Sequence, residues 1–448
     1  EVLREDENWV TVCAEDDPRG PLNPSGKQCF AYHSQGCHYT RTTGIWQTVW
    51  LECVPQTYLR DVRLVPNAEN GNIAIEAFVQ GYVPGAVLTA EAFLDGKPQA
   101  KVTVMANAPA VYTMLKVQDV KLWEPGFPVL YDLRFTLHTL DGQEDTVNSY
   151  FGLRTVSFDG KKCLINGRPV FQRLVLDQGF YPDGIYTAPT DEALKRDIEL
   201  SMELGFNGAR LHQKVFEPRF LYWADRLGYL VWGEMPSWGL EPSLPGALGA
   251  FLPEWMEAVA RDFNAPSIIG WCPFNEVWGE SGGGCMEQTL KMTYCVTKAI
   301  DPTRPVIDAS GGYHGMTDIY DVHDYEQDGK KFAERFRPGS ALYDVREGRQ
   351  HYDGRLPVMV SEFGGIRWAD TADGWGYGEA PKTAGEFLER FRALTDALLR
   401  NPDHMGFCYT QLYDVEQEKN GLYHYDRTPK FDAEDIASAL RKKAAIEK

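Results

Sequence analysis

The chain has 448 residues, 43% of them hydrophobic and 24% charged, with a formal net charge of −19. This composition excludes a disordered chain and supplies apolar surface for two or three cores. The acidic balance excludes nucleic acid and anionic membrane surfaces as expected partners, because both select a basic face; no run of eighteen apolar residues offers a membrane span.

The opening residues, EVLREDENWV, lack the basic and apolar regions of a signal peptide. The nine cysteines are odd in number and show no Cys-x-x-Cys spacing. Cys163, Cys272 and Cys408 lie in apolar runs, as small hydrophobes do. A reducing, cytoplasmic setting is the expectation.

Residues 1–56 are polar as far as Trp46 and then run into TGIWQTVWLECV (43–54), a strand-like stretch. They are too few for a sandwich and read as the end of a β-domain whose beginning is absent. From Tyr58 to about Val156, short β-branched and aromatic stretches recur between turn residues, with an Asp-Gly hairpin signal at Asp95 and Gly96. This is the rhythm of a small two-sheet sandwich over residues 57–155.

Beyond Val156 strands alternate with helices. DEALKRDIELSMELG (191–205) carries Leu194, Ile198 and Met202 at four-residue steps, with Thr190 as N-cap and Gly205 as stop. Further helical patterns fall at 254–263, at 385–399 and at the C-terminal end. Eight apolar strands are read in FQRLVLDQG, FNGARLH, YLVWGEMP, SIIGWCPFNE, RPVIDASG, DIYDVHDY, LPVMVSEFGG and MGFCYTQLYDV. Such an alternation over residues 156–448 predicts a (β/α)8 TIM barrel, whose chemistry belongs at the carboxyl ends of the strands.

Those ends carry Asp177, Arg210 and His212, Glu234, Asn275 and Glu276, His323 and Asp324, Glu362, and Gln411 with Asp414. Glu276 closes the fourth strand within GWCPFNEVW, and Glu362 closes the seventh, where Gly364 and Gly365 leave room for a ligand. A single glutamate at a strand end is more often solvated or paired with arginine. Two across one barrel mouth suit glycoside hydrolysis, one as acid/base and one as nucleophile. Trp271, Phe274 and Trp278 are expected to raise the pKa of Glu276, and Arg210 to keep Glu362 ionised.

With these residues and this domain order the chain resembles glycoside hydrolase family 2, whose members retain anomeric configuration. TRTTGIWQTVWLE is similar to the end of the family's jelly-roll domain, residues 57–155 to its immunoglobulin-like domain, WCPFNE to its acid/base motif and VMVSEFGG to its nucleophile strand. The resemblance implies a partial β jelly-roll, an immunoglobulin-like β-sandwich and a TIM barrel. It makes Glu276 the acid/base, Glu362 the nucleophile and Asn275 the amide for the sugar 2-hydroxyl. Asp177, Arg210 and His212 are further substrate-binding candidates. His323 could bind a hydroxyl or be structural, Trp368 could stack on a sugar or pack in the core, and Glu234 could line the pocket or form an ion pair. Tyr39 and Arg41 could reach substrate or end a strand.

Two departures bear on the sugar. Thr410 and Gln411 stand where many members have tryptophan and a polar residue, and Glu418 stands where the family's β-glucuronidases place an asparagine that clamps the uronate. A carboxylate there would repel an acidic sugar. The expected activity is therefore an exo-acting β-glycosidase for a neutral sugar, β-galactosidase first. The alternatives are β-mannosidase, β-arabinosidase, β-galactofuranosidase or an atypical β-glucuronidase, or a non-catalytic carbohydrate-binding protein. No GxGxxG after a strand, P-loop or HExxH occurs, so neither cofactor nor metal is expected. The expected partner is a carbohydrate substrate, and a homo-oligomer is open because flanking sandwich domains often supply subunit contacts.

Overall fold

The computed structural model describes residues 4–448 apart from 5, 18, 279–283, 341, 343–351, 353 and 370–373. Two antiparallel sheets form the sandwich. One holds Tyr58–Asn67, Asn72–Gln80 and Ala110–Lys116; the other orders Lys97–Met105, Val87–Leu94, Tyr131–His138 and Glu144–Phe151. Alternation decides which face is inside: Ile73, Ile75, Ala77 and Val79 of one strand enter the core while their neighbours point outward. Asp95 and Gly96 turn the hairpin with φ of 50° and 72°, the left-handed pair that a two-residue turn between twisted strands requires.

The barrel follows. Its first four strands are Gln172–Asp177, Gly208–Leu211, Leu230–Glu234 and Ile268–Cys272; the last four are Ala309–Ser310, Tyr320–Asp324, Val358–Gly364 and His404–Thr410. Seven of them make one parallel sheet running fourth, third, second, first, eighth, seventh, sixth. The short fifth strand closes the ring. Pro273 interrupts the fourth, which resumes at Phe274–Asn275 to pair with Ala309–Ser310, and Asp318 N donates to Val306 O at 2.9 Å on the other side.

Helices cover the outside. Asp191–Glu203 starts at Thr190, whose hydroxyl accepts from Ala193 N, and buries Leu194 and Ile198. Helices Pro218–Leu227, Ala247–Asp262, Gly284–Ile300, Gly329–Arg335, Ala384–Leu399 and Ala433–Leu440 follow. None of the described helices is long and apolar enough to cross a membrane.

The sandwich docks on the end of the barrel away from the mouth. Leu64 N donates to Asn264 Oδ1, Asn264 Nδ2 to Val62 O, and Tyr150 OH to Asp225, all at 2.8 Å. The expected strand at 43–54 is not formed. This stretch bends at Gly44 and Gln47 and pairs with no strand among the described residues, and a strand without a neighbour would leave its N–H and C=O groups to water. It lies along the barrel instead: the ring of Trp46 rests 4.5 Å from that of Tyr186, and Gln47 Nε2 donates to Val215 O at 2.9 Å. Upstream, Ser25 N and Gly26 N donate to Trp238 O at 2.8 and 2.9 Å, which seats residues 25–39 on the mouth.

Candidate active site

Arg210 organises the mouth. It is fully buried on the second strand, and its guanidinium reaches Glu234 Oε1 at 2.5 Å, Ser361 O at 2.6 Å, Asn275 Oδ1 at 3.1 Å and Glu362 Oε1 at 3.4 Å. Glu234 thus takes the ion-pair role, and it also accepts from Gln213 N and lies 3.1 Å from His212 Nδ1. Because Arg210 can only donate, Asn275 must turn its oxygen to it, leaving the Asn275 NH2 group for a ligand.

The two glutamates face each other. One oxygen each of Glu276 and Glu362, and a nitrogen of His323, all lie within 4.8 Å of one another. This is closer than the about 6.5–9.5 Å that separates the carboxyl groups of an inverting pair. Glu276 holds φ at 51°, a left-handed conformation that side chains other than glycine's rarely adopt; Glu276 N donates to Ser310 O at 2.9 Å. Strain of this kind persists only where the surroundings impose it, as they do at sites.

His323 stands between the glutamates. Its Nδ1 is 2.8 Å from Glu276 Oε1 and 3.4 Å from Glu362 Oε2. Its other nitrogen meets Ser310 Oγ at 3.1 Å, and that hydroxyl donates to Asp321 Oδ2 at 2.8 Å. Gly311 makes the placement feasible, since a Cβ there would collide with the imidazole. When Ser310 gives its proton to Asp321, or to Ser361 Oγ at 3.1 Å, Nε2 is the donor to Ser310. The 2.8 Å contact at Nδ1 then contains a second proton, shared between His323 and Glu276.

This corrects the expected electrostatics. Trp271 packs on Trp255 and Phe274 on Phe251, both in the barrel wall rather than around the carboxyl. Burial does push Glu276 up, but the hydrogen bond and charge of His323, with Lys27 and His212 behind, outweigh it and bring it down to about 2. Glu362 is lowered as expected: burial and the charge of Glu276 oppose ionisation, while His323, His212 and Arg210 favour it. Burial works against a charged His323, yet Glu362 and Glu276 hold its pKa above the ordinary value.

The structure brings Glu276, Glu362, Asn275, Arg210, His212 and His323 together. Asp177 is held apart, its Oδ1 accepting from Gly179 N at 3.0 Å and from Tyr413 OH. Trp368 makes its ring contacts with Phe387 and Phe431, as a packed aromatic. Gln411 is fully buried and donates to Asn420 Oδ1 at 2.7 Å. Asn420 Nδ2 donates to Glu418 Oε1 at 3.0 Å, and Tyr39 OH to Glu418 Oε2 at 2.5 Å. Glu418 is therefore a buried, doubly hydrogen-bonded carboxylate rather than a bare charge at the pocket wall.

Sequence reading missed Tyr325. Its hydroxyl donates to Glu362 Oε2 and lies 3.1 Å from Thr410 Oγ1, and its ring stacks on Tyr377 at 3.5 Å. The signal was its position two residues after His323, on the same side of an extended chain. It missed Lys27 as well, whose ammonium sits 4.2 Å from the centre of the Trp238 ring.

A parallel barrel with two opposed glutamates at its mouth defines the constellation of a glycoside hydrolase. Residues 57–154 match the family described as Glycosyl hydrolases family 2, and residues 157–337 match its TIM barrel domain. The chain belongs to glycosyl hydrolase family 2. A β-galactosidase of Pseudoalteromonas haloplanktis is 28% identical over 425 residues, 86% of this chain and 39% of that protein. A β-glucuronidase of Pongo abelii is 28% identical over 314 residues, 64% of this chain and 45% of that protein. The chain thus spans less than half the length of these curated relatives. Among solved structures, a β-D-glucuronidase of Dictyoglomus thermophilum shares the fold with a TM-score of 0.71 and 22% identity, covering 87% of this chain and 69% of that one.

Proposed function

We propose that the protein is a retaining, exo-acting β-glycosidase, with a β-linked galactosyl residue as its first candidate substrate. The close pairing of Glu276 and Glu362 carries the reading. Glu362 attacks the anomeric carbon while the shared proton passes from the His323–Glu276 couple to the departing glycosidic oxygen, and a covalent glycosyl-enzyme forms on Glu362. Glu276 then takes a proton from water, which displaces Glu362, and two inversions give net retention. Asn275, oriented by Arg210, offers its NH2 group to the sugar 2-hydroxyl. Tyr325 and Arg210 hold the nucleophile's two oxygens in place.

The choice of galactose is supported by the β-galactosidase relative that aligns over most of the chain, and by Glu418 at the position where the resemblance to β-glucuronidases implies a uronate-clamping asparagine. The reading is tested with nitrophenyl β-galactoside, β-glucuronide, β-galacturonide, β-mannoside and α-L-arabinopyranoside, following the first-formed anomer by NMR. Release of the β-anomer from the galactoside is expected. Release of the α-anomer would remove the retaining mechanism, and binding of sugars without cleavage of any of the five would leave a carbohydrate-binding protein.

A pH profile separates the couple from a plain carboxylic acid. In the wild type the shared proton is lost only as pH rises through the raised value of His323. In His323→Asn the proton resides on Glu276 alone and is lost through a carboxyl value, which is lower than an imidazole's. The alkaline limb of kcat/KM should move down by about one pH unit or more. An unmoved limb would exclude His323 from the proton's path.

A further inference from the structure

Among the described residues, Lys27 is a buried ammonium without a hydrogen-bonding partner. It is 7% exposed, and no hydrogen bond or ion pair within 4.0 Å engages its Nζ; what the ammonium does touch is the face of the Trp238 ring, at 4.2 Å. The segment that carries it is not loose. Tyr39 N donates to Lys27 O at 2.7 Å, Gly26 N to Trp238 O at 2.9 Å, and Trp238 Nε1 to Asn275 O at 3.1 Å, so Trp238 links Lys27 to the backbone beside Glu276. Burial works against the charge, but the acidic groups around it, Cys37, Glu418, Glu362 and Glu276, keep the ammonium above its ordinary pKa.

A second group in the same network is also unfilled. Glu418 can only accept, so Asn420 must point its NH2 group at it and its oxygen at Gln411 Nε2. The remaining atom, Gln411 Oε1, is buried and has no partner among the described residues. The buried acceptor is costly unless a ligand or water completes it, and the Lys27 ammonium, not sealed from solvent, is free to meet the same ligand.

We propose that Lys27 is a specificity-determining residue that donates to oxygen acceptors of the bound sugar, either a hydroxyl or a uronate carboxylate. The proposal rests on the glycosidase reading of the same site. It also weakens the electrostatic objection to an acidic sugar, because the charge of Lys27 acts on Glu418 without pairing with it and remains open to a second anion.

The test compares wild type, Lys27→Met and Lys27→Arg on the five nitrophenyl glycosides, with melting temperatures and with calorimetric titration of galactose and galacturonic acid. Lys27→Met should lower kcat/KM for the best glycoside, and weaken binding of its sugar, by about 10- to 100-fold, as expected for a hydrogen bond to a charged donor. Its melting temperature should stay close to that of the wild type, since the variant keeps the buried stem against Trp238 and loses only a cation that Cys37, Glu418, Glu362 and Glu276 favour. A loss confined to the galacturonide identifies the carboxylate. An equal loss on galactoside and galacturonide, with the arabinopyranoside spared, identifies a contact at the sixth carbon made by either form; a loss that includes the arabinopyranoside places it on the ring hydroxyls. Activity and binding within threefold of wild type would overturn the proposal, as would a uniform loss accompanied by a lowered melting temperature. Wild type that binds sugar through Lys27 but cleaves nothing would defeat the catalytic reading alone, and wild type that neither cleaves nor binds would defeat both.

Discussion

Glu362→Gln should lower kcat by about 10⁴-fold or more on every glycoside the enzyme cleaves, because the amide cannot form the covalent intermediate. Glu362 is held on two sides by Tyr325 and Arg210, and His323, His212 and Arg210 together favour its ionised form, as the proposed nucleophile requires. A 2-deoxy-2-fluoro glycoside of the preferred sugar should add one sugar mass to the wild-type protein, and peptide mapping should place it on Glu362. Attachment to any other residue, or a variant within a hundredfold of wild type, would reassign the nucleophile. The substitution should not unfold the protein, since Arg210 keeps its contacts with Glu234, Asn275 and the Ser361 carbonyl.

Glu276→Gln should show a loss that depends on the leaving group. With a poor leaving group the missing proton costs about 10²- to 10⁴-fold. With a dinitrophenyl leaving group, which departs without protonation, formation of the glycosyl-enzyme should stay fast and its hydrolysis should become limiting, giving a burst. Azide, a nucleophile that needs no general base, should restore turnover and yield a β-glycosyl azide. Equal losses on good and poor leaving groups, without rescue by azide, would show that Glu276 positions substrate rather than moving a proton.

The parts of the site legible in sequence were those written locally. An apolar strand ending in Asn-Glu and another ending in Glu-Phe-Gly-Gly announce both their burial and their polar ends, and eight such strands in alternation specify the barrel. What escaped was set by chain segments remote from each other. The protonation of Glu276 looked like a matter of its aromatic neighbours, but the strand turns Trp271 and Phe274 into the wall, and against the upward push of burial His323 from the sixth strand has the largest lowering effect on its pKa. The stretch at 43–54 has the composition of a strand, yet pairing needs a neighbour that local pattern cannot supply. Lys27 stands among glycine, serine, proline and glutamine, the composition of an exposed loop, and only docking on Trp238 buries it. Trp368, Asp177 and Gln411 were chosen for their position after strands; their side chains are engaged by Phe431, Tyr413 and Asn420 respectively.

The seating of residues 25–39 on the mouth has a consequence for how this protein can change over evolutionary time. The bond-breaking groups are fixed by the staves of the barrel, where a shift in one side chain disturbs Arg210 and everything it holds. Lys27 comes from a distant stretch of chain, and among the described residues its side chain makes no hydrogen bond to the staves, so a substitution there leaves them in place. On the proposed role of Lys27, selection can retune which sugar is accepted while the carboxylates of the barrel stay where they are.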